Sequence, residues 1–346
     1  MMKAVYISKH GGIDALNYGE VIEPVVNDGQ VKIKIKSACL NRLDLYTREG
    51  DRGLSRDFPP DLILGGDCSG DIVEIGQGVQ DLKIGDRVVV NPKLSCSQCD
   101  NCRSGRDDLC VRPKFLGTAC NGSYAEYVTV DNTNVHLIAD EVSYDMAAAV
   151  PTTFLPCWNI LVRRGQLKSW ETILVLSASA GVGTAAIQIA KNVIGANVIT
   201  TTSTTEKAEM ARKIGADHVI NYNESGVRDS IKEMTSGSGV DFVLDHVGAD
   251  FFKDAFASLK PGGRYGICGA TTGLRAELHL GLLFSKQIQV FGAFMGSKKD
   301  MVEIVYALNR GNIKPHVYKS FPLSEVAKAH ELMESTNFFG KIILNP

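Results

Sequence analysis

The sequence lacks a long hydrophobic run. No stretch approaches the roughly 18 uncharged apolar residues of a membrane-spanning helix, and the N-terminal MMKAVYISKHGG has no apolar core of the length that a signal peptide needs. We therefore expect no membrane partner. With nine cysteines and no export signal, a reducing, cytoplasmic setting is expected rather than a disulfide-stabilised exported protein.

An excess of charge of one sign is also missing. Lys and Arg together number 37 and Asp and Glu 39, which gives a formal net charge of −2. This balance offers no electrostatic basis for binding nucleic acid. Internal repeats and low-complexity segments are absent as well. The 346 residues, 44% of them hydrophobic, are enough for two domains with separate cores, and a small molecule is the expected partner.

Four of the cysteines are concentrated in one loop, CSQCDNCRSGRDDLC at residues 96–110. Their spacing, C-x2-C-x2-C-x7-C, is typical of a tetrahedral zinc site. An iron–sulfur cluster is the alternative, but its fourth cysteine usually follows closely and precedes proline, whereas Cys110 precedes Val111. Four thiolates fill the coordination shell of zinc and leave no position for a substrate. The predicted ligands of one structural zinc ion are Cys96, Cys99, Cys102 and Cys110.

A turn of small residues in the second half of the chain predicts a nucleotide site. Residues 173–176 indicate a buried parallel strand and residues 184–192 a helix, with ASAGVG between them. A second β-branched run at 197–202 closes a β-α-β unit. Small residues let the backbone approach a pyrophosphate, which then lies at the helix N-terminus. A mononucleotide site or a vacant doubly wound fold is the alternative. The residues expected to bind a dinucleotide here are Ala180, Gly181, Val182 and Gly183.

The end of the second strand favours NADP(H) over NAD(H). NAD enzymes place an acidic residue there for the ribose 2′-hydroxyl, but TTTSTTEK has no acid before Glu206. Hydroxyl groups together with Lys207 suit a 2′-phosphate instead. The Ser/Thr run would also cap the next helix, with Thr205 as the candidate N-cap. The predicted hydroxyl ligands are Thr202, Ser203 and Thr204.

Strand and helix patterns continue to alternate through residue 294, which predicts an α/β domain with a doubly wound, six-stranded parallel sheet. The first 150 residues instead contain short, Gly-bounded strands and indicate a β-rich domain. A helix at 299–310 and the final strand GKIILNP are too short to fold alone. We therefore expect domains at 1–150 and 151–294, and a C-terminal segment, 295–346, that returns to the first domain.

Several segments together resemble the medium-chain dehydrogenase/reductase family, which includes zinc alcohol dehydrogenases and NADPH quinone oxidoreductases. They are GGDCSGDIVEIGQGV, KIGDRV, the four-cysteine loop, the nucleotide turn and the ending FGKIILNP, and the resemblance covers essentially the whole chain. It implies a GroES-like β domain and a Rossmann domain. It also implies a homodimer or homotetramer joined partly through the last Rossmann strand, here residues 289–294.

The resemblance further implies that the catalytic zinc of the alcohol dehydrogenases is missing. Its three ligand positions correspond here to Asn41, to Gly66 beside Asp67, and to Thr152. Asn and Asp make a poor zinc site. The segments NRLDLY and PTTFLPCW are instead similar to the quinone oxidoreductase branch, which works without catalytic zinc. The chain thus combines the structural-zinc loop of one branch with the catalytic segments of the other.

From the same resemblance, Asn41 and Tyr46 are expected to donate hydrogen bonds in the active site, Asp44 to orient its neighbours, and Arg42 to contact a coenzyme phosphate. Without a Lewis acid, such donors can still stabilise the delocalised charge that develops on a quinone or an enone. Further coenzyme contacts are expected from Thr152, Tyr222, Val247 and Lys341.

The sequence therefore predicts an NADP(H)-dependent reductase of enones, quinones or activated carbonyls that has no catalytic metal. Two other functions remain open. One is an alcohol dehydrogenase or carbonyl reductase, either metal-free or with an atypical zinc site near Asp67. The other is a non-catalytic NADPH-binding protein, because function depends on the site and not on the fold.

Overall fold

The computed structural model describes residues 1–52, 54 and 61–346, which divide into two compact units. Unit 1 comprises Met1–Thr152, Ser297–Asn309 and Pro315–Pro346, and unit 2 comprises Thr153–Gly296 and Arg310–Lys314. The chain passes from unit 1 to unit 2 after residue 152 and returns after residue 296, in each case two residues later than the sequence predicts. Residues 310–314 also belong to unit 2.

The strands, in chain order, are β1 (Met2–Ile7), β2 (Asn17–Val21), β3 (Gln30–Cys39), β4 (Leu62–Ile63), β5 (Asp67–Ile75), β6 (Arg87–Val90), β7 (Lys93–Leu94), β8 (Lys114–Phe115), β9 (Tyr127–Asp131), β10 (Val135–Leu137), β11 (Thr172–Val175), β12 (Asn197–Thr202), β13 (His218–Asn221), β14 (Val240–Asp245), β15 (Leu259–Ile267), β16 (Gln289–Gly292), β17 (Val317–Pro322) and β18 (Lys341–Asn345).

The α-helices are α1 (Arg42–Glu49), α2 (Asp100–Arg103), α3 (Tyr144–Ala148), α4 (Pro151–Trp158), α5 (Gly181–Gln188), α6 (Thr205–Lys213), α7 (Val227–Met234), α8 (Ala249–Ala257), α9 (Leu280–Ser285), α10 (Lys298–Asn309) and α11 (Val326–Ser335). Among the described residues, no helix has both the length and the apolar character needed to cross a membrane.

Unit 1 is built around β3, which pairs with β5, β9 and β18 in a seven-stranded sheet. In its sequence, QVKIKIKSAC, Val31, Ile33 and Ile35 alternate with Lys residues, so one face of the strand enters the core. The final strand, β18, runs antiparallel to β3 and opposes its last residues. The C-terminal strand therefore belongs to the unit 1 sheet.

Unit 2 contains a six-stranded sheet in the order β13-β12-β11-β14-β15-β16, with every neighbouring pair parallel. The central strands are buried on both faces, which explains their continuous apolar sequences. The strand order reverses between β11 and β14, and a doubly wound sheet binds ligands beyond the carboxyl ends of the strands at this reversal. The α/β fold predicted from the sequence, a Rossmann-type sheet plus a GroES-like β-rich domain, is confirmed.

Candidate active site

The four cysteines of the 96–110 loop converge in unit 1. Their sulfur atoms all lie within 4.8 Å of one another. Cys102 Sγ is 3.5 Å from Cys99 Sγ and 3.9 Å from Cys96 Sγ. A tetrahedral zinc ion with sulfur ligands at about 2.3 Å separates those sulfurs by about 3.8 Å. The donor set and its spacing therefore fit a structural zinc ion, and they use all four coordination positions.

Backbone groups prepare this loop to hold a metal. Cys99 is the N-cap of α2, and Cys102 lies within that helix. The backbone N–H groups of Gln98 and Cys99 lower the pKa of the Cys96 thiol to about 6. A metal ligand must be a thiolate, so these amides favour the state that zinc requires at Cys96, whereas desolvation raises the pKa of the Cys102 thiol to about 12.

A second polar cluster lies where β3 leads into α1. Asn41 is the N-cap of α1, and its backbone N–H donates to Asp44 Oδ2 over 2.8 Å. The hydroxyl of Tyr124 donates to the same oxygen, also over 2.8 Å. Two donors therefore hold the Asp44 carboxylate in place. Burial nevertheless raises the pKa of Asp44 to about 7, and the two hydrogen bonds oppose that effect.

Asn41 also belongs to a continuous hydrogen-bond network. Lys341 Nζ donates to Asn41 Oδ1 over 2.6 Å, and Asn41 Nδ2 donates to Asp67 Oδ2 over 2.9 Å. Thr152 Oγ1 donates to Asp67 Oδ1 over 2.7 Å, and the Thr152 backbone N–H reaches both carboxylate oxygens at 3.2 Å. The structure thus brings together three residues singled out from the sequence, Asn41, Thr152 and Lys341. We call these residues and Asp67 the Lys341 network.

Three of the four residues of the Lys341 network are buried, and Thr152 is half-buried. Asp67 is fully buried, Lys341 is 4% exposed and Asn41 is 7% exposed. Burial raises the pKa of Asp67, whereas the positive charge of Lys341 lowers it. A buried charge is tolerated when it is paired and hydrogen-bonded. The ammonium and the carboxylate, joined through the Asn41 amide, meet this condition.

These residues do not fit a catalytic zinc site. In the described part of the chain, only the four cysteines form a group of three or more His, Cys, Asp or Glu side chains placed to hold a metal. The Lys341 network instead offers one carboxylate, an amide and a hydroxyl, which form a poor donor set for zinc. Its ammonium, 2.6 Å from Asn41 Oδ1, would also repel a cation there.

The two expected hydrogen-bond donors differ in availability. Both amide hydrogens of Asn41 have acceptors, since Nδ2 also lies 3.3 Å from the carbonyl oxygen of Cys39. Tyr46, half-buried on α1, has a hydroxyl with no hydrogen-bond partner among the described residues. The guanidinium of Arg52 lies 4.7 Å from the Tyr46 ring. Arg42, also half-buried, is the first residue of α1.

Sequence reasoning missed Tyr124, which no local pattern marks. Its position depends on Gly65, whose φ of +89° suits glycine. A Cβ on Gly65 would lie 2.2 Å from the Tyr124 ring. The GGD triplet therefore has a steric role, because its first glycine makes room for the tyrosine that binds Asp44.

The predicted nucleotide turn in unit 2 joins β11 to α5. Ala180 is the N-cap, and α5 begins at Gly181. A Cβ on Gly183 would lie 2.0 Å from the Ser177 carbonyl oxygen, so only glycine fits there. The first backbone N–H groups of a helix have no acceptor within the helix. Those of Gly181, Val182 and Gly183 form a cradle that could hold a pyrophosphate.

The expected 2′-phosphate residues lie at the carboxyl end of β12. Thr204 is the N-cap of α6, and its Oγ1 accepts from the Lys207 backbone N–H over 3.2 Å. The expectation that Thr205 caps this helix is therefore wrong, and Thr205 is the first helical residue. The Thr204 hydroxyl can still donate its own hydrogen. Thr202 Oγ1 is buried and has no hydrogen-bond partner in the described residues.

Tyr222 and Val247 follow β13 and β14, which lie on opposite sides of β11 and β12 in the sheet. The Tyr222 ring contacts Phe251 edge-on, with the ring centroids 5.2 Å apart. The Val247 backbone N–H donates to Asp245 Oδ1 over 2.7 Å, which fixes the backbone just after β14. Both positions lie at the carboxyl edge of the sheet, where a doubly wound fold binds its ligand.

Comparisons with known proteins agree with this fold. The model of the alcohol dehydrogenase GroES-like domain matches residues 27–140, and that of the zinc-binding dehydrogenases matches residues 181–310. An NAD-dependent alcohol dehydrogenase of Sulfolobus acidocaldarius is 30% identical over 99% of both chains.

The chain belongs to the medium-chain dehydrogenase/reductase family.

Other members of this family extend the comparison. A crystal structure of an NAD-dependent alcohol dehydrogenase superposes with a TM-score of 0.96 at 36% identity, and covers all of both chains. An acryloyl-coenzyme A reductase of Metallosphaera sedula is 30% identical over 99% of both chains. This medium-chain dehydrogenase/reductase is therefore an oxidoreductase, and its relatives are named for both alcohol oxidation and enoyl reduction.

Proposed function

We propose that this medium-chain dehydrogenase/reductase transfers hydride from NADPH to an enone, a quinone or an activated carbonyl, without a catalytic metal. The Lys341 network carries the proposal. Where family alcohol dehydrogenases hold zinc, this chain has an amide, a carboxylate and a hydroxyl joined by hydrogen bonds and charge-balanced by an ammonium. Such a site stabilises charge through hydrogen bonds and electrostatics rather than through a Lewis acid.

NADPH, when bound, supplies the hydride. In an enone, the β-carbon accepts the hydride and its electron pair, the carbonyl oxygen gains negative charge, and a proton from solvent completes the reduction. The hydroxyl of Tyr46, which has no hydrogen-bond partner among the described residues, can donate to that oxygen. Asn41 can join it by exchanging its long hydrogen bond to the Cys39 carbonyl, 3.3 Å, for one to the substrate. Delocalised charge needs less stabilisation than a localised alkoxide.

The choice of NADPH is supported by the end of β12. That strand ends at Thr202 and is followed by hydroxyl residues rather than by an acid. Thr202 Oγ1 is buried without a partner among the described residues, and the Thr204 hydroxyl can donate to a phosphate. Lys207 supplies a positive charge one turn into α6. The relatives from Sulfolobus acidocaldarius and Saccharolobus solfataricus are named for NAD, and titration of this chain with NADPH and with NADH tests the proposed preference.

The proposed reaction is tested by following NADPH oxidation with an enone, a quinone and the saturated ketone of the same carbon skeleton. We expect turnover of the enone and the quinone to exceed that of the ketone by at least about tenfold, because only their developing charge is delocalised. Oxidation of simple alcohols that rises on addition of zinc would contradict the proposal. It would support alcohol dehydrogenation, the function for which the archaeal relatives are named.

We also propose that the protein is a cytoplasmic homodimer or homotetramer, joined through the β16 edge of the unit 2 sheet. Next to that edge strand, Phe294 is 63% exposed, and Phe284 on α9 is 76% exposed. Exposed aromatic side chains close in sequence to an edge strand favour association with a second copy. Light scattering of the wild type and of Phe284→Ser tests this, since the variant should dissociate at higher concentration. A monomeric wild type would contradict it.

A further inference from the structure

Lys341 is placed by sheet pairing rather than by flexible side-chain packing. It is the first residue of β18, which opposes the end of β3. The Leu40 backbone N–H donates to the Ile342 carbonyl over 3.0 Å, which aligns the two segments. Lys341 Nζ then donates to the Leu40 carbonyl over 2.7 Å and to Asn41 Oδ1 over 2.6 Å. The pairing of β18 therefore fixes the backbone of Lys341, and the Leu40 carbonyl fixes its ammonium beside the Asn41 side chain.

This ammonium determines which way the Asn41 amide points. The oxygen and nitrogen ends of an amide have similar shapes, so their hydrogen-bond partners select the orientation. With the amide reversed, its NH2 group would face the ammonium of Lys341, and its oxygen would face the carboxylate of Asp67. In the observed orientation, Oδ1 accepts from Lys341 and Nδ2 donates to Asp67. The two charges also polarise the amide, which strengthens its N–H groups as donors.

We propose that Lys341 is a positioning residue of the reductase site. It fixes the Asn41 amide so that one N–H stays on Asp67 and the other can turn from the Cys39 carbonyl to the substrate, and it supplies the buried positive charge that a metal would otherwise provide. The inference rests on the proposed function, in which Asn41 donates to the substrate oxygen. It differs from the coenzyme contact expected from the sequence, because Lys341 here acts through Asn41. The ionisable groups that face Lys341 are Cys39 on β3, Asp44 on α1 and Asp67 on β5.

The test uses Lys341→Met, which keeps the length of the side chain and removes the charge. We expect kcat on an enone to fall about 10- to 100-fold, the range for loss of a charge-assisted hydrogen bond. The dissociation constant of NADPH should change less than about threefold, since the effect is on Asn41 rather than on the coenzyme. Lys32→Met is the matched control. Lys32 is also largely buried and ion-paired on β3, with Glu74 at 2.7 Å, but lies outside the network.

Lys341→Met leaves Asp67 without its counter-charge and is expected to lower stability. The double variant Lys341→Met/Asp67→Asn removes both charges. The amide introduced at position 67 can donate to Asn41 Oδ1, so the Asn41 side-chain amide should adopt the reversed orientation. We expect the melting temperature to recover while kcat stays low. A merely structural role for Lys341 would restore kcat together with stability, and that result would overturn the proposal.

An NMR measurement made without substrate tests this inference independently of the proposed reaction. In the wild type, the two side-chain amide protons of Asn41 should give distinct NMR signals that are protected from exchange. In Lys341→Met both signals should shift and lose protection. Unchanged signals would overturn the inference even if enone reduction were confirmed. Loss of NADPH affinity with unchanged kcat would also overturn it, because Lys341 would then be a coenzyme ligand. If the amide changes as expected but the wild type reduces no enone or quinone, only the proposed function fails.

Discussion

Replacing Asp44 with Asn should make the stability of the protein less dependent on pH. Asp44 is 2% exposed, and its Oδ2 accepts from the Asn41 backbone N–H and from the Tyr124 hydroxyl. Burial raises the pKa of Asp44 from 3.8 to about 7. Asn keeps an oxygen that can accept both hydrogen bonds, so the substitution mainly removes the charge.

The size of the effect follows from proton linkage. Between pH 4 and pH 7 the folded state keeps a proton on Asp44 that the unfolded state has lost, so stability falls as the pH rises. Above pH 7 the carboxylate is ionised in both states, and the loss is complete. A difference of about three pKa units corresponds to about 4 kcal/mol, of which about 2–3 kcal/mol falls between pH 5 and pH 8.

The free energies of unfolding of the zinc-loaded wild type and of Asp44→Asn should be measured by urea denaturation at pH 5 and pH 8. We expect the difference in free energy of unfolding, variant minus wild type, to be about 2–3 kcal/mol larger at pH 8 than at pH 5. Asp81→Asn, at an exposed loop position, is the control and should show no such increase. If wild type and Asp44→Asn lost stability in parallel, the conclusion that Asp44 titrates in a buried site would be refuted.

Three further substitutions test separate parts of the account. Cys99→Ser should lower both the zinc content and the melting temperature, because the 96–110 loop has few apolar anchors; a zinc-free variant with unchanged melting would contradict a structural site. Lys207→Ala should weaken NADPH binding about tenfold in a fluorescence titration and leave NADH binding nearly unchanged, since only NADPH carries the 2′-phosphate; equal losses would remove Lys207 from that pocket. Tyr46→Phe should lower kcat on an enone by about 10²-fold without changing the dissociation constant of NADPH, because it deletes only the donor hydroxyl. An unchanged kcat would exclude Tyr46 as that donor.

Features encoded by local patterns could be predicted from the sequence. The apolar strands of unit 2 indicated the six-stranded parallel sheet, because a strand buried on both faces needs continuous apolar residues. The spacing of the four cysteines indicated their convergence, because C-x2-C steps place two sulfurs on one ion. The predicted N-cap of α6, Thr205, is one residue later than the observed N-cap, Thr204, because neighbouring threonines have the same capping chemistry.

The Lys341 network could not be derived from any local pattern. Lys341 and Asn41 are 300 residues apart in the chain, and only the pairing of β18 with β3 brings them together. The family resemblance pointed to both residues, but it assigned Lys341 to the coenzyme. Tyr124 lies 80 residues from Asp44 and contacts it because Gly65 leaves space for the ring. Long-range contacts of this kind depend on the folded backbone.

The claim that the reductase site works without a catalytic metal is tested most directly by measuring zinc content together with NADPH-dependent enone reduction before and after chelation. We expect one zinc ion per chain, held by the four cysteines. We also expect full activity after a chelator has removed any accessible metal while the protein stays folded. Two zinc ions per chain, with rapid loss of activity on chelation and recovery on addition of zinc, would contradict the account.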